Sequence, residues 1–363
     1  MNIAAIDVEL VDLPPVTPRF SWRHGLLGSH GARTTGVFRI TSEDGAVGSA
    51  YHEWSGPMLA DITDRVLRPQ LVGEPADRRE WLWHRLWELD RTEEFPIWVF
   101  GVVDVALWDL EARTLGVPVH RLLGTFRESI PAYASTTTFS TVEEYLEVAD
   151  QCRELGFTAI KLHAWGDARA DAVLCQALRA HVGDGVDLMY DGSAGFDLTD
   201  AMYLGRALAE AKYRWYEEPM REFSISAYGR LATTVDVPLL VAETSDGAHM
   251  NSADFIAAGA ATYGVRAGTT LRGGITGAMR TAHLADAYRL RAEVHGSDIP
   301  NHHLCMAISN TTYYESLITS NPVTREKAVD GSGLVHAPSG PGIALPAGLD
   351  YPPALHPYVQ ETV

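Results

Sequence analysis

Three acids carry the strongest chemical signal in this chain: Asp191, Glu217 and Glu243. The intervals 191→217 and 217→243 are both 26 residues, one strand-and-helix repeat each. Acids recurring at that period stand at the same end of neighbouring parallel strands. Any one of them alone would read as a helix-start or surface carboxylate. Three converging without a counter-ion would repel and raise one another's pKa values, and a hard divalent cation removes that conflict. Oxygen-only ligands select Mg²⁺ or a similar ion, which keeps positions for water or substrate oxygens. Two bases accompany the acids. Lys161 and His163 lie two apart on a strand candidate, so both face one side, with Ile160 and Leu162 on the other. A lone strand lysine is ordinarily a solvated edge residue, but this chain has only three lysines, Lys161, Lys212 and Lys327. His295 ends a later strand candidate, across from the strand of Lys161. The chain has 14 histidines, so an isolated one says little, and spacing alone assigns no role to His24, His30, His52, His302 or His303. The constellation is that of a metal site with acid–base groups at hand.

The elements that must position these residues follow from the hydrophobic pattern. Apolar strand candidates fall at 130–135, 158–163, 186–190, 213–217, 238–242, 262–267 and 291–295, with amphipathic stretches between them. The clearest helix runs through Val142, Tyr145, Leu146, Ala149 and Cys152. It opens on a capping-box pattern, Ser140-Thr-Val-Glu143, and closes at Gly156. Strands alternating with helices imply a parallel sheet, and seven or eight such units fit a TIM-like barrel, whose C-terminal mouth would hold the acids. Before this, Val37–Thr41, the turn Asp44-Gly45 and 46–51 predict a hairpin. From 56 to 123 the pattern is helical, with Trp81, Leu82, Leu86 and Trp87 and then Val102, Val105, Ala106 and Leu110 at helical spacing. The organisation expected is an α+β capping domain over 1–127, a barrel over 128–335, and a proline-rich segment, 336–363, returning to the cap.

Composition bounds the function. The chain has 363 residues, 46% apolar and 21% charged, as an ordinary globular protein does. Its 29 Lys and Arg against 47 Asp and Glu give −18, which argues against nucleic-acid phosphates and against anionic membrane. Cys152, Cys175 and Cys305 show no short spacing, so neither a disulfide framework nor a structural zinc site is expected. The N-terminus lacks a basic signal-peptide region, and no apolar run approaches a membrane span. The expected compartment is the cytoplasm. Arg272-Gly-Gly-Ile-Thr276 lacks the Walker spacing, and no Gly-x-Ser-x-Gly elbow is present.

At these residues the sequence resembles the enolase superfamily over nearly its whole length. Val103-Asp-Val-Ala-Leu-Trp-Asp-Leu-Glu-Ala-Arg113, followed by Leu115-Gly-Val-Pro118 and Leu122-Leu-Gly124, is similar to that family's cap-to-barrel helix. Trp215-Tyr-Glu-Glu-Pro219 resembles its fourth-strand metal motif and Pro238-Leu-Leu-Val-Ala-Glu243 its fifth. Gly273-Gly-Ile-Thr-Gly277 resembles the loop after strand six, and Gly340-Pro-Gly-Ile-Ala-Leu345 the closing segment. The resemblance implies an α+β cap over a modified (β/α)₇β barrel. A Glu as third ligand and a His on strand seven resemble the mandelate racemase group, which includes acid-sugar dehydratases. Three positions depart from its pattern. The catalytic place on strand six falls on Gly268, the second-strand Lys-x-Lys reads Lys161-Leu-His163, and Asp191-Gly-Ser193 ends on Ser where Asn is common.

What the resemblance implies is removal of the proton alpha to a carboxylate, with the enediolate stabilised on Mg²⁺. Asp191, Glu217 and Glu243 are then the ligands, His163 the base and Lys161 a carboxylate-binding cation. A His needs less depression than a Lys to be neutral near pH 7. His295 becomes an acid delivering a proton to a departing hydroxyl, with Glu293 on the same strand face as a partner. Glu315 corresponds to the carboxyl that hydrogen-bonds the substrate carboxylate. Ser193 and the cap residues His24, His52 and Trp54, with His30 nearby, are expected around a small acid-sugar substrate. The expected reaction is loss of water from a polyhydroxy acid to a 2-keto-3-deoxy acid, in a homo-oligomer. Two alternatives remain: a racemase or epimerase using His163 and His295 as opposed bases, and a non-catalytic binding protein on the same fold. An acidic surface attracts anions poorly, so the metal and Lys161 would supply the local positive charge.

Overall fold

The computed structural model describes residues 1–29 and 31–343. His30 and the last part of the expected C-terminal return, 344–363, lie outside the described residues. The N-terminal part begins with β1 (Ile3–Leu13), the short hairpin β2 (Ser21–Arg23) and β3 (Leu26–Leu27), then β4 (Arg33–Ser42) and β5 (Val47–His52). An antiparallel sheet runs β1-β4-β5, with Thr41 opposite Val47 across the Asp44-Gly45 turn, so the predicted hairpin is present. Helices α1 (Gly56–Ile62), α2 (Arg68–Leu71), α3 (Arg79–Glu93), α4 (Ile97–Leu115) and α5 (Val119–Leu122) follow, a π-helical turn at Thr63–Leu67 joining the first two.

The barrel strands are β6 (Ser129–Thr136), β7 (Ala159–His163), β8 (Asp187–Asp191), β9 (Trp215–Glu217), β10 (Leu239–Val241), β11 (Gly264–Ala267), β12 (Arg291–Val294) and β13 (Tyr314–Ile318). Their order is β12-β11-β10-β9-β8-β7-β6-β13, every pair parallel, with β14 (Leu334–His336) antiparallel beside β6. Helices α6 (Val142–Glu154), α7 (Ala168–Val182), α8 (Leu198–Glu210), α9 (Ile225–Ala232), α10 (Ala248–Ala257), α11 (Gly274–Ala287) and α12 (Ile299–Ala307) alternate with the strands. This is the (β/α)₇β barrel with an antiparallel-sheet cap. Capping of α6 differs from the expectation by one residue. Thr141 caps Glu144 N–H, and the Glu144 carboxylate accepts from Ser140 N–H.

Inside the barrel two layers separate. Tyr133, Ala159, Met189, Trp215 and Leu240 form an apolar floor, and the charged residues stand above it toward the C-terminal ends of the strands. The outward faces, including Ile160 and Leu162, join the main core beneath the helices. Two cap helices clamp the end of the loop after β11 and the first turn of α11. Trp83 Nε1 on α3 donates to the Gly273 carbonyl at 2.8 Å. On α4, Asp104 accepts from Thr276 N–H at 2.8 Å and from the Thr276 hydroxyl at 2.6 Å. Gly101 permits this approach, since a Cβ there would stand 2.5 Å from the Thr269 carbonyl oxygen. Ile343 N–H donates to Asp109 on α4 at 2.8 Å.

Candidate active site

Asp191 and Glu217 are direct neighbours across the β8–β9 ladder, as their spacing predicts. Glu243 reaches the same place by a different route. Across β9–β10 the partner of Glu217 is Leu240, so Glu243 lies three residues further on, past the strand end. A left-handed residue, Ala242 at φ 64°, turns the chain back. Glu222 holds that turn by accepting the N–H groups of Ala242, Thr244 and Ser245 at 2.5, 2.7 and 3.1 Å, and Arg272 donates to the Glu243 carbonyl. One ligand oxygen from each of the three acids lies within 4.8 Å of the others, and all three residues are buried. The donor set is all oxygen, and Glu243 Oε2 is buried without a hydrogen-bond partner. Both features fit a hard divalent cation.

Cations of the chain surround these acids. Lys161 Nζ stands 3.2 Å from Asp191, 3.1 Å from Glu217 and 2.8 Å from Glu315. Burial works against its charge, but Glu217 and Glu315 overcome that and raise its pKa well above the ordinary value. His163 Nδ1 lies 2.7 Å from the Thr136 carbonyl, which can only accept, so that nitrogen carries a proton. Its Nε2 faces Asp191 at 3.1 Å. His295 Nε2 faces Glu243 at 3.1 Å, and that carboxylate outweighs burial and raises the imidazole to about 9.

The residue that sequence reasoning missed is Arg266. Its guanidinium grips both oxygens of Glu217, donates to the Val294 carbonyl and Tyr133 hydroxyl at 3.1 Å each, and lies 3.7 Å from Glu243 and Glu315. Burial still lifts Glu217 to about 8 despite Arg266 and Lys161. An arginine in the middle of an otherwise apolar strand candidate was the available signal. Asp191, Glu217, Glu243 and Glu315 are thus interleaved with Lys161, Arg266 and the imidazoles of His163 and His295.

Other expected residues are placed as follows. Glu315 has both oxygens engaged, by Lys161 and by Gly296 N–H at 2.8 Å. Burial opposes its ionisation, but Lys161 outweighs this and holds its pKa well below the ordinary value. Glu315 therefore faces Lys161 as an ionised acceptor. Ser193 meets Asp191 through its backbone N–H at 2.8 Å, and its carbonyl accepts from Arg23 at 3.1 Å. Glu293 does not partner His295. It turns to Thr311, Thr312 and Tyr263, toward the barrel floor. His302 and His303 are engaged elsewhere, with the His336 carbonyl and His120 N–H. His24 sits exposed on the β2–β3 turn, its backbone N–H donating to the Trp165 carbonyl at 3.1 Å.

A cavity of about 400 Å³ opens between cap and barrel. His52, Trp54 and His295 line it, with Trp22, Trp98 and Asp298. The Trp22 ring lies against His163, centroids 4.7 Å apart, and His163 is not part of the cavity wall. A second void of about 10 Å³ touches Glu243, Arg266 and His295.

Comparison with known proteins agrees with this architecture. Residues 6–124 match the "Mandelate racemase / muconate lactonizing enzyme, N-terminal domain" model, and residues 144–347 match "Enolase C-terminal domain-like". A magnesium-complexed D-glucarate dehydratase from Agrobacterium tumefaciens is 32% identical with TM-score 0.85, over 94% of this chain and 96% of that one. A racemase from Streptomyces coelicolor with bound magnesium is 25% identical with TM-score 0.80 over the same shares. The D-mannonate dehydratase of a Sphingomonas species is 25% identical across 88% of this chain and 92% of its own. A 3,6-anhydro-alpha-L-galactonate cycloisomerase from Streptomyces coelicolor is 26% identical across 94% and 95%.

Proposed function

The chain belongs to the mandelate racemase / muconate lactonizing family of enolase superfamily enzymes, and on that premise we propose that it is a Mg²⁺-dependent hydro-lyase of a polyhydroxy acid. The observation that carries this reading is the buried Asp191–Glu217–Glu243 cluster beside His163. Asp191, Glu217 and Glu243 would hold a Mg²⁺ ion, which would supply Lewis acidity toward the substrate carboxylate. The remaining chemistry falls to the chain's own side chains. His163 Nε2 takes the alpha proton, since the Nδ1–H donation to Thr136 fixes which nitrogen is available. Lys161, pinned by Glu315, holds a positive charge against the carboxylate end of the substrate. His295, reached from the cavity, delivers a proton to the departing beta-hydroxyl, completing loss of water to the 2-keto-3-deoxy acid.

The racemase or epimerase alternative needs two comparable bases. Position 268 carries no carboxylate, and the acid that His295 meets is Glu243, one of the proposed ligands. That arrangement supports a proton donor more than a second base. Within the same proposal the protein works in the cytoplasm, as a homo-oligomer, on a small anionic substrate and not on nucleic acid. Among the described residues no helix is long and apolar enough to cross a membrane. The test is a panel of acid sugars with Mg²⁺ in deuterated water, followed by proton NMR. Formation of a 2-keto-3-deoxy acid supports the proposal. Alpha-deuteration with no keto acid would transfer it to the epimerase reading, and neither result on any acid would leave a binding protein.

A further inference from the structure

The cap-side cavity discriminates between the two kinds of acid that relatives handle. Glucarate is a diacid and mannonate a monoacid, so family membership does not decide between them. The reacting end of a substrate belongs at the barrel end of the cavity, near His295 and the three acids. The rest must extend beneath the cap, among His52, Glu53, Trp54, Trp98 and Asp298. Among the described residues that line this space there is neither Lys nor Arg. Arg33 stands behind the wall, not in it, with its guanidinium 3.5 Å from Glu53 and 4.6 Å from the Trp54 ring centroid.

We infer that the substrate is a monoacid: a polyhydroxy chain with one carboxylate at the metal end and uncharged hydroxyl-bearing carbons under the cap. This rests on the dehydratase reading above and narrows it. Glu53 and Asp298 can accept hydrogen bonds from hydroxyl groups, whereas a distal carboxylate would face these two acids and, among the described lining residues away from His295, no Lys or Arg. The indole faces of Trp54 and Trp98 cover C–H surface, as sugar-binding aromatics do. His52 stacks on Trp98, centroids 3.9 Å apart and planes 2° from parallel. Burial lowers its pKa to about 4, so it stays neutral at pH 7 and offers a carboxylate no charge. A site that leaves a buried charge unpaired rejects that ligand strongly, more so than one that merely loses a methylene contact.

Matched pairs that differ only at the last carbon test this: gluconate with glucarate, galactonate with galactarate, mannonate with mannarate, each with Mg²⁺ and read as 2-keto acid. The expected result is at least one monoacid whose kcat/KM exceeds that of its matched diacid by 100-fold or more. The variant Glu53→Gln, which removes one wall charge and frees Arg33, narrows that ratio at least tenfold by raising the diacid rate. A diacid turned over as well as its monoacid partner, or better, overturns the inference while leaving the dehydratase reading intact. Absence of both turnover and alpha-proton exchange with every acid overturns that reading, and the inference with it.

Discussion

Replacing Arg266 with Met exposes how the metal cluster is held together. Arg266 and Glu217 are both essentially inaccessible, at 1% and 0% side-chain exposure. Met keeps an unbranched stem and removes the guanidinium with its charge, its grip on Glu217 and its bonds to Tyr133 and the Val294 carbonyl. Above about pH 8, where Glu217 is ionised, breaking one side of this buried pair costs about 3–5 kcal/mol, because the abandoned charge keeps its desolvation penalty. At about 2.1 cal/mol/K per residue, a chain this long loses ~4–7 °C in Tm for that cost. In EDTA, differential scanning calorimetry of R266M is expected to show a drop of that size. Mg²⁺ should act in the opposite sense. Arg266 lies within ion-pair distance of two of the three ligand acids, so a bound dication and the guanidinium compete for the same oxygens. Without the guanidinium, calorimetric titration should show Mg²⁺ binding at least tenfold tighter, returning about 1.4 kcal/mol of stability at saturating ion. A Tm within about 1 °C of the parent in EDTA, or unchanged Mg²⁺ affinity, would refute the claim that arginine and metal share Glu217.

Three further outcomes follow from other parts of the structure. His163→Ala should cut keto-acid formation by about 10²–10⁴-fold, the usual contribution of a general base, while the Thr136 carbonyl it leaves without a donor costs about 1–3 kcal/mol of stability, and near-normal turnover would remove His163 from the base role. Gly274→Ala places a Cβ 2.5 Å from Asp104 Cβ at a backbone φ of 84°, so it should cost about 3 kcal/mol by urea denaturation. Gly273→Ala, whose Cβ meets Trp83 only at 3.3 Å, should cost less, and equal losses would show that the Asp104 contact is not the cause. Burial raises Asp104 to about 7, against the hydrogen bonds from Thr276. A carboxyl raised above its unfolded value favours the folded state below about pH 4, and that advantage is lost as pH rises through 7. The difference in stability between the parent and Asp104→Asn should therefore slope downward from pH 4 to 7 by about 1 kcal/mol per unit and flatten above. A difference independent of pH would place the titration elsewhere.

The fold and much of the site were legible because both rest on short-range periodicity. Lys161 and His163 share a face by the pleat of a strand, and Asp191 and Glu217 pair directly across one ladder. For Glu243 the equal spacing led to the right place for an incomplete reason. Its register is offset by three, and a left-handed Ala242 held by Glu222 makes up the difference. Arg266 and Glu293 show the limit of period-two reasoning. The pleat assigns a side chain to the barrel interior but not which way along the axis it reaches, so of the register partners Arg266 and Glu293 one meets the ligands and the other the floor. The α6 cap slipped by one residue because Ser140-Thr141 and Glu143-Glu144 offer two overlapping boxes. His52 and Trp54 joining one cavity depends on how the cap sits over the barrel, which no local pattern encodes.

The clamp of Trp83 and Asp104 on the loop after β11 bears on how such enzymes could be recombined. Specificity residues lie on the cap and catalytic ones on the barrel, which suggests that caps could be exchanged between relatives to build chimaeras. Here the seam crosses hydrogen bonds in which each half supplies what the other lacks, an indole N–H for the Gly273 carbonyl and a carboxylate for the Thr276 N–H. A transplanted cap without both partners would leave two buried polar groups unsatisfied, at about 1–3 kcal/mol each. The interchangeable unit is then the cap together with the loop beneath it.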